Sequence, residues 1–488
     1  MSTNDQSERC SVGIPGLDAV LQGGVRTGRS FMVRGPPGAG KTLMGLHFLT
    51  AGEPKGEDRL FVNFGEPAEY VRKDAEAFGF DMDGVDILDL GPSQEFFTEQ
   101  QSYSLFEADE VESESVLSEI SAAVEERDLD RVFVDPLTQL RYLSTDNYQF
   151  RKQVLSFLRL LKHNGVTVLF TSQATAADPD DDLQFMSDGV INLTAETPRT
   201  LRVTKFRGSD FDSGAHTLRI SDEGMAVAPI LRPDEYSRPT DPTDLSSGIP
   251  ELDQLLKGGL TRGTVSIVTG PTGAGKTTVG TQFMKEASGR GERSVIYSFE
   301  ESRETLLHRS KAINIPVSEM IDRGTLSVEV VPPDEYSPDE FAQLVMDEVD
   351  DEDAKLVMID GVDGYEAALQ GDPVDPQDAL GRLGRYLRNM GVTTLITNEV
   401  PRITGDFQAT GRGLSQFADT ILFLRHLEYG GEIHKSIGVL KNRTSDFERT
   451  LRRLEITEHG IKVGEPLTGL RGILTGTPEW TEGPPEDE

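Results

Sequence analysis

The sequence predicts an α/β protein built from two tandem domains, each a mainly parallel sheet flanked by helices, and three observations carry that prediction. Residues 11–42 and 246–277 are identical at 18 of 32 positions with no gap, and the offset of 235 residues between Lys41 and Lys276 also relates Gly13 to Gly248, Asp18 to Asp253 and Glu66 to Glu301. A repeat that persists this far covers a domain, not a loop. Short apolar runs alternate with helical stretches in both halves, the pattern of a parallel sheet buried on both faces. The glycine loop GxxxxGK[ST] occurs once in each half, after a strand and before a helix.

In chain order, the first half offers the strand RSFMVRG (29–35), the helix LMGLHFLTAG (43–52), and the strands RLFVNF (59–64) and RVFVD (131–135). The second half repeats this with TVSIVTG (264–270), TVGTQFMKEASG (278–289), SVIYSF (294–299) and KLVMID (355–360). The polar, acidic stretch from Gly91 to Glu114 reads as an exposed excursion. Prolines and acids in residues 231–244 read as an extended linker, and a short acidic, Pro-containing end reads as a frayed tail. The expected divisions are 1–236, 237–472 and a tail of 473–488.

Composition narrows the function. The chain has 83 acidic residues against 48 Lys and Arg, for a formal net charge of −35. Such a surface repels phosphate backbones and anionic lipid, so nucleic acid and membrane are not expected partners. Only 14 of the basic residues are Lys. An acidic, Lys-poor surface suits concentrated salt, which screens self-repulsion, so a halophile source is expected. Cys10 is the sole cysteine, which rules out an intrachain disulfide and a multi-Cys zinc site. With no leader pattern and no run of about 18 apolar residues, a cytoplasmic protein is expected.

The chemistry concentrates at the glycine loops. Gly35, Pro36, Pro37, Gly38, Ala39, Gly40, Lys41 and Thr42 form the first; Gly270, Pro271, Thr272, Gly273, Ala274, Gly275, Lys276, Thr277 and the following Thr278 form the second. Glycines let backbone N–H groups turn inward around phosphates, and the helix N-terminus adds partial positive charge. Lys neutralises β and γ oxygens, and Thr offers a hydroxyl to Mg²⁺. Asp135 and Asp360 close later apolar strands, where a carboxylate can hold the Mg²⁺ water shell. The acids after the next strand are Glu300 and Glu301 in the second half, but only Glu66 in the first, where Gly65 precedes it. A carboxylate there can orient or deprotonate an attacking water or hydroxyl, although paired acids at a strand end also serve simply as a solvated helix start.

The order GIPxLDxxLxGG, P-loop, acid pair, strand-end Asp, a late Lys-x-Arg and a closing GEPLTGLRGILTGTP resembles the KaiC family, tandem-domain members of the RecA-like P-loop ATPases. The resemblance runs over nearly all of the chain. It implies two RecA-like domains, ATP and Mg²⁺ as cofactors with Glu301 joining Thr42, Asp135, Thr277 and Asp360 as metal candidates, a homohexamer with ATP bound between subunits, slow ATPase activity, and in clock-type members a serine/threonine autokinase activity in the second ring. It also implies that Lys205 and Arg207, and Lys441 and Arg443, reach the γ-phosphate held by a neighbouring subunit. Two departures stand out. Gly65 replaces the first acid, leaving the first site without one water-activating carboxylate. Of two adjacent hydroxyls phosphorylated in clock-type members, Ser415 survives and Gln416 replaces the other, so a two-site phosphorylation cycle is not expected.

The expected function is therefore that of an ATP-binding and ATP-hydrolysing regulatory ring read by protein partners. The alternatives are a RecA-like DNA-dependent ATPase, which the acidity opposes, and a scaffold that assembles on ATP with negligible turnover, which Gly65 favours for one ring. The seven histidines show no metal-ligand spacing, and the run Asp347 to Asp353 matches no calcium loop.

Overall fold

The computed structural model describes residues 9–91, 118–141, 144, 146–173, 179–240, 243–369, 375–400, 414–429, 431–468, 470–471 and 479–480. Apart from Gly91, the acidic excursion expected at 91–114 lies outside these residues. The chain divides into two compact units, Met1–Ile230 and Leu231–Glu488.

In the first unit nine strands form one sheet: β1 (Ser30–Arg34), β2 (Arg59–Asn63), β3 (Val85–Asp89), β4 (Arg131–Asp135), β5 (Thr167–Ser172), β6 (Gly189–Leu193), β7 (Thr200–Phe206), β8 (His216–Ser221) and β9 (Gly224–Ala228), in the spatial order β9-β8-β7-β6-β1-β5-β4-β2-β3. The pairs from β6 to β3 are parallel, and β6, β7, β8 and β9 are joined antiparallel. The second unit repeats the plan with β10 (Val265–Gly270), β11 (Ser294–Ser298), β12 (Leu326–Val330), β13 (Leu356–Asp360), β14 (Thr393–Glu399), β15 (Thr420–Tyr429), β16 (Glu432–Asn442), β17 (Arg452–Thr457) and β18 (Gly460–Pro466). Its order is β12-β11-β13-β14-β10-β15-β16-β17-β18, the same sequence of corresponding strands. The duplication read from one 32-residue match therefore extends through the whole topology.

Both faces of the central parallel strands are buried, and successive residues feed opposite layers. Phe31 and Val33 pack with Phe61, Phe133 and Leu169 on one side, while Met32 packs with Leu60, Val62, Val132 and Phe170 on the other. In the second sheet Ile267 joins Tyr297, Ile359 and Ile396, and Val268 joins Ile296, Met358 and Leu395. The helices Lys41–Thr50 and Lys276–Gly289 follow the central strands β1 and β10. Each starts from a glycine in the left-handed region, Gly40 at φ 93° and Gly275 at φ 107°, a turn that a side chain would strain. The Asp shared by the two repeats is structural. Asp18 accepts the Val12 N–H at 2.8 Å, and Asp253 accepts the Ser247 N–H at 2.7 Å, which ties down the strap ahead of each sheet.

Two expectations are corrected. Of the segment read as an extended linker, residues 231–240 are docked on the second unit. Leu231 is in its core, the Tyr236 and Tyr386 rings meet edge-on at 5.1 Å, and the Arg238 N–H donates to the Asn389 carbonyl at 2.9 Å. Prolines that break a helix also shape a short packed turn, here Pro233–Glu235, so composition alone did not separate the two. The tail, read as frayed, includes the strand Glu479–Trp480, paired antiparallel with Leu470–Arg471.

Candidate functional site

Parallel strands place their C-terminal ends at one edge of the sheet, and the loops leaving those ends gather the motif residues. In the second unit they line a cleft of about 460 Å³ that includes Lys276, Thr277, Thr278, Glu300, Glu301 and Asp360. Lys276 Nζ donates to the carbonyls of Gly270 at 3.0 Å and Pro271 at 3.2 Å, which holds the ammonium against the loop. The Asp360 carboxylate accepts the hydroxyls of Thr277 at 2.9 Å and Thr397 at 2.8 Å. Burial pushes the Asp360 pKa up, while those two hydrogen bonds pull it down. Carboxylate and hydroxyl oxygens beside a phosphate-binding loop are a hard donor set that fits Mg²⁺.

Glu300 stands beside this centre. Gly361 has φ 102°, and a Cβ there would lie 2.7 Å from Glu300 Oε1, so only glycine lets the carboxylate pack over the strand end that carries Asp360. Burial raises the Glu300 pKa above the ordinary carboxylate range, and the charges of Asp360 and Glu399 raise it further. A base tuned upward in this way suits chemistry near neutral pH. Glu301 lines the same cleft, but its carboxylate pairs with Arg309 at 2.9 Å.

The first unit builds the corresponding cleft, about 560 Å³, from the loop residues with Lys41, Thr42, Gly65, Glu66 and Asp135. Lys41 Nζ donates to the Gly35 and Pro36 carbonyls at 2.9 and 3.0 Å. Thr42 donates to Asp135 at 2.5 Å, and Thr171 donates to the other carboxylate oxygen. Burial lowers the Lys41 pKa, opposed by the Asp135 charge. Glu66 is exposed, and position 65 offers no carboxylate.

The late cations sit elsewhere. Lys205 Nζ donates to the carbonyls of Gln184, Phe185 and Ser187, and Arg207 to that of Phe185. Lys441 Nζ donates to the carbonyls of Ser415 at 2.6 Å and Ala418 at 2.7 Å, while the Arg443 side chain is exposed. None of these four lines the cleft of its own unit. Ser415 is exposed on the short helix Leu414–Phe417, its carbonyl bonded by Lys441, and it does not line the cleft around Lys276. The His47 ring accepts the Met225 N–H at 2.8 Å in the core, a structural role.

Several cleft residues escaped the sequence reading, among them Glu399, Lys435 and Arg199. Glu399, at the end of β14, lies 3.8 Å from Lys276 Nζ and accepts the Thr272 hydroxyl. Lys435 on β16 donates to the Gly273 carbonyl at 2.7 Å, and Arg199 lines the first cleft. No motif flags them, because each arrives through strand register from a distant part of the chain.

The comparisons with known proteins agree with this geometry. The family model described as "ATPase: KaiC" matches residues 10–232 and again 245–468. The chain is 27% identical over 493 residues to the "Circadian clock protein KaiC3" of Synechocystis sp., covering 98% of this chain and 96% of that protein. It is 27% identical over 483 residues to the "Circadian clock oscillator protein KaiC" of Acaryochloris marina, with 95% and 90% covered. The Synechococcus elongatus protein of the same description is 27% identical over 498 residues, with 98% and 94% covered.

Proposed function

The chain belongs to the KaiC family of ATPases, and from that premise we propose that it is a regulatory, ring-forming ATPase whose second site hydrolyses ATP and whose first site chiefly binds it. The observation that carries the reading is the difference between the two clefts. Both have the P-loop lysine and the Thr–Asp pair, but only the second has a carboxylate, Glu300, packed against the glycine that follows the Asp-bearing strand end, where the first has Gly65.

In the second site the Gly270–Thr278 loop and Lys276 bind and neutralise the phosphates. Thr277 and Asp360 would hold Mg²⁺, which when bound screens the β and γ oxygens. Glu300 orients a water molecule and accepts its proton as the water oxygen bonds to the γ-phosphorus. The bond from phosphorus to the β,γ-bridging oxygen breaks, giving ADP and inorganic phosphate. Lys441 and Arg443 complete a neighbouring subunit's site, which makes turnover depend on assembly. Their placement outside their own cleft supports this, as does the groove that Arg207 shares with Tyr148 and Phe185, which are 73% and 77% exposed. A homohexamer is the assembly we infer, with unidentified proteins reading its state. Ser415, beside Lys441, is the hydroxyl that a neighbouring site could phosphorylate. The net charge of −35 supports a salt-rich setting and opposes nucleic-acid binding. No helix among the described residues is long and apolar enough to cross a membrane.

The reading is tested by measuring assembly mass with and without Mg·ATP in concentrated salt, and phosphate release on the same sample. A ring that releases phosphate, with any covalent label from γ-labelled ATP confined to Ser415, is expected. A ring without release would leave a scaffold, and release stimulated by single-stranded DNA would favour the DNA-dependent alternative.

A further inference from the structure

The two clefts differ at a second pair of positions. On the second P-loop the Thr272 hydroxyl donates to Glu399, whose other carboxylate oxygen lies 3.8 Å from Lys276 Nζ. Strand register identifies the counterparts. Gly270 pairs with Glu399 across β10 and β14, and in the first sheet Arg34 pairs with Ser172, which sets Gly35 against Gln173. The first site thus has Pro37 and Gln173 where the second has Thr272 and Glu399. The donor and the charged acceptor are present together in one repeat and missing together from the other.

Lys276 has few protons to share. Two of its donors are directed to the Gly270 and Pro271 carbonyls, and among the described residues Glu399 is the one carboxylate within 4 Å of the ammonium. The P-loop lysine is also the group that neutralises β and γ oxygens. A γ-phosphate at Lys276 therefore shares its cation with Glu399 and meets a like charge, whereas a nucleoside diphosphate carries less charge to that point. Glu300, Asp360 and Asp363 add carboxylates around the same lysine, and Glu399 is among the charges that raise the Glu300 pKa. In the first cleft, the neutral Gln173 imposes no such conflict.

We propose that Glu399, held by Thr272, is a specificity-determining residue that weakens the second site's preference for nucleoside triphosphate over diphosphate, so that occupancy there follows the ATP:ADP ratio while the first site stays committed to ATP. The inference deepens the proposed function and rests on nucleotide binding at the second P-loop.

The test is an equilibrium titration of the full chain with Mg²⁺ and either ADP or a non-hydrolysable ATP analogue, in a Lys41→Ala background so that the second site alone reports. Glu399→Gln is expected to raise the ratio of the ADP to the analogue dissociation constant by about tenfold, mainly through tighter analogue binding. Glu399→Asp, which keeps the charge, is expected to leave the ratio near its starting value. Thr272→Val, which keeps the shape of the loop residue and frees the carboxylate, should raise the ratio by a smaller factor and serves if the Gln variant fails to fold. A ratio unchanged in both Glu399→Gln and Thr272→Val, or a purely parallel change in both affinities, overturns the inference while leaving the ATPase reading in place. No nucleotide binding to a chain that retains Glu399 would overturn both.

Discussion

Lys276→Ala is expected to remove nearly all ATP hydrolysis while nucleotide-dependent assembly survives, and Lys41→Ala to impair assembly more than chemistry per assembled site. Each lysine is fixed by two loop carbonyls, so both sites present the same cation to phosphate. What separates them, on the proposed function, is the carboxylate that would handle water. In the second site Glu300 packs over Gly361 beside Asp360, whereas the corresponding position 65 carries no side chain. Losing a preorganised charge at a phosphoryl-transfer site costs about 10²- to 10³-fold in turnover. The measurement is phosphate release per assembled chain, with assembly followed by light scattering. Nearly full release from the Lys276 variant would contradict the division. The converse variant, Gly65→Glu, has room to be accommodated. Among the described residues beyond its chain neighbours, a Cβ at 65 would meet one atom within 4 Å, Asn63 Oδ1 at 3.8 Å, and hydrolysis at the first site should rise.

Arg443→Ala is expected to lower turnover at the second site by about 10³-fold, the scale of an arginine supplied across an interface, without abolishing nucleotide binding by isolated subunits. Arg443 is exposed at the end of β16, and Lys441 next to it is held by the Ser415 and Ala418 carbonyls, so neither lines its own cleft. Mixed with a Glu300→Gln chain, the Arg443 variant should regain part of the activity, because some interfaces then receive both intact halves. Mixed rings without any recovery would show that the cation does not act between subunits.

Much of this account was legible in the sequence because local pattern and local chemistry coincide. The strand–glycine loop–helix of the P-loop is contiguous, and its requirement for glycines at left-handed positions is visible as letters. Asp135 and Asp360 announce themselves by closing apolar strands, and the order of strands in the second sheet follows once the duplication is seen. Glu399 was not legible. It reaches Lys276 because β10 lies between β14 and β15, a fact of sheet order that no spacing in residues 276–399 encodes. Lys435 and Arg199 arrive on the antiparallel extension by the same route. The docked segment 231–240 was misread because turn-forming and linker-forming compositions overlap, and the Tyr236–Tyr386 contact that decides between them depends on tertiary structure.

The most direct test of the central claim, that Glu300 activates the attacking nucleophile in the second site, is the pH profile of phosphate release by the unmodified chain set beside that of Glu300→Gln. Burial and the charges of Asp360 and Glu399 hold the Glu300 carboxyl protonated to higher pH than an ordinary glutamate. Since the base must be ionised to work, release should fall as pH drops through a value above the usual carboxylate range. Glu300→Gln should bind nucleotide and assemble as before, but release phosphate at about 10²-fold or more below the unmodified rate, with that acid limb gone. A Gln variant that turns over at the original rate with the acid limb intact would contradict the account.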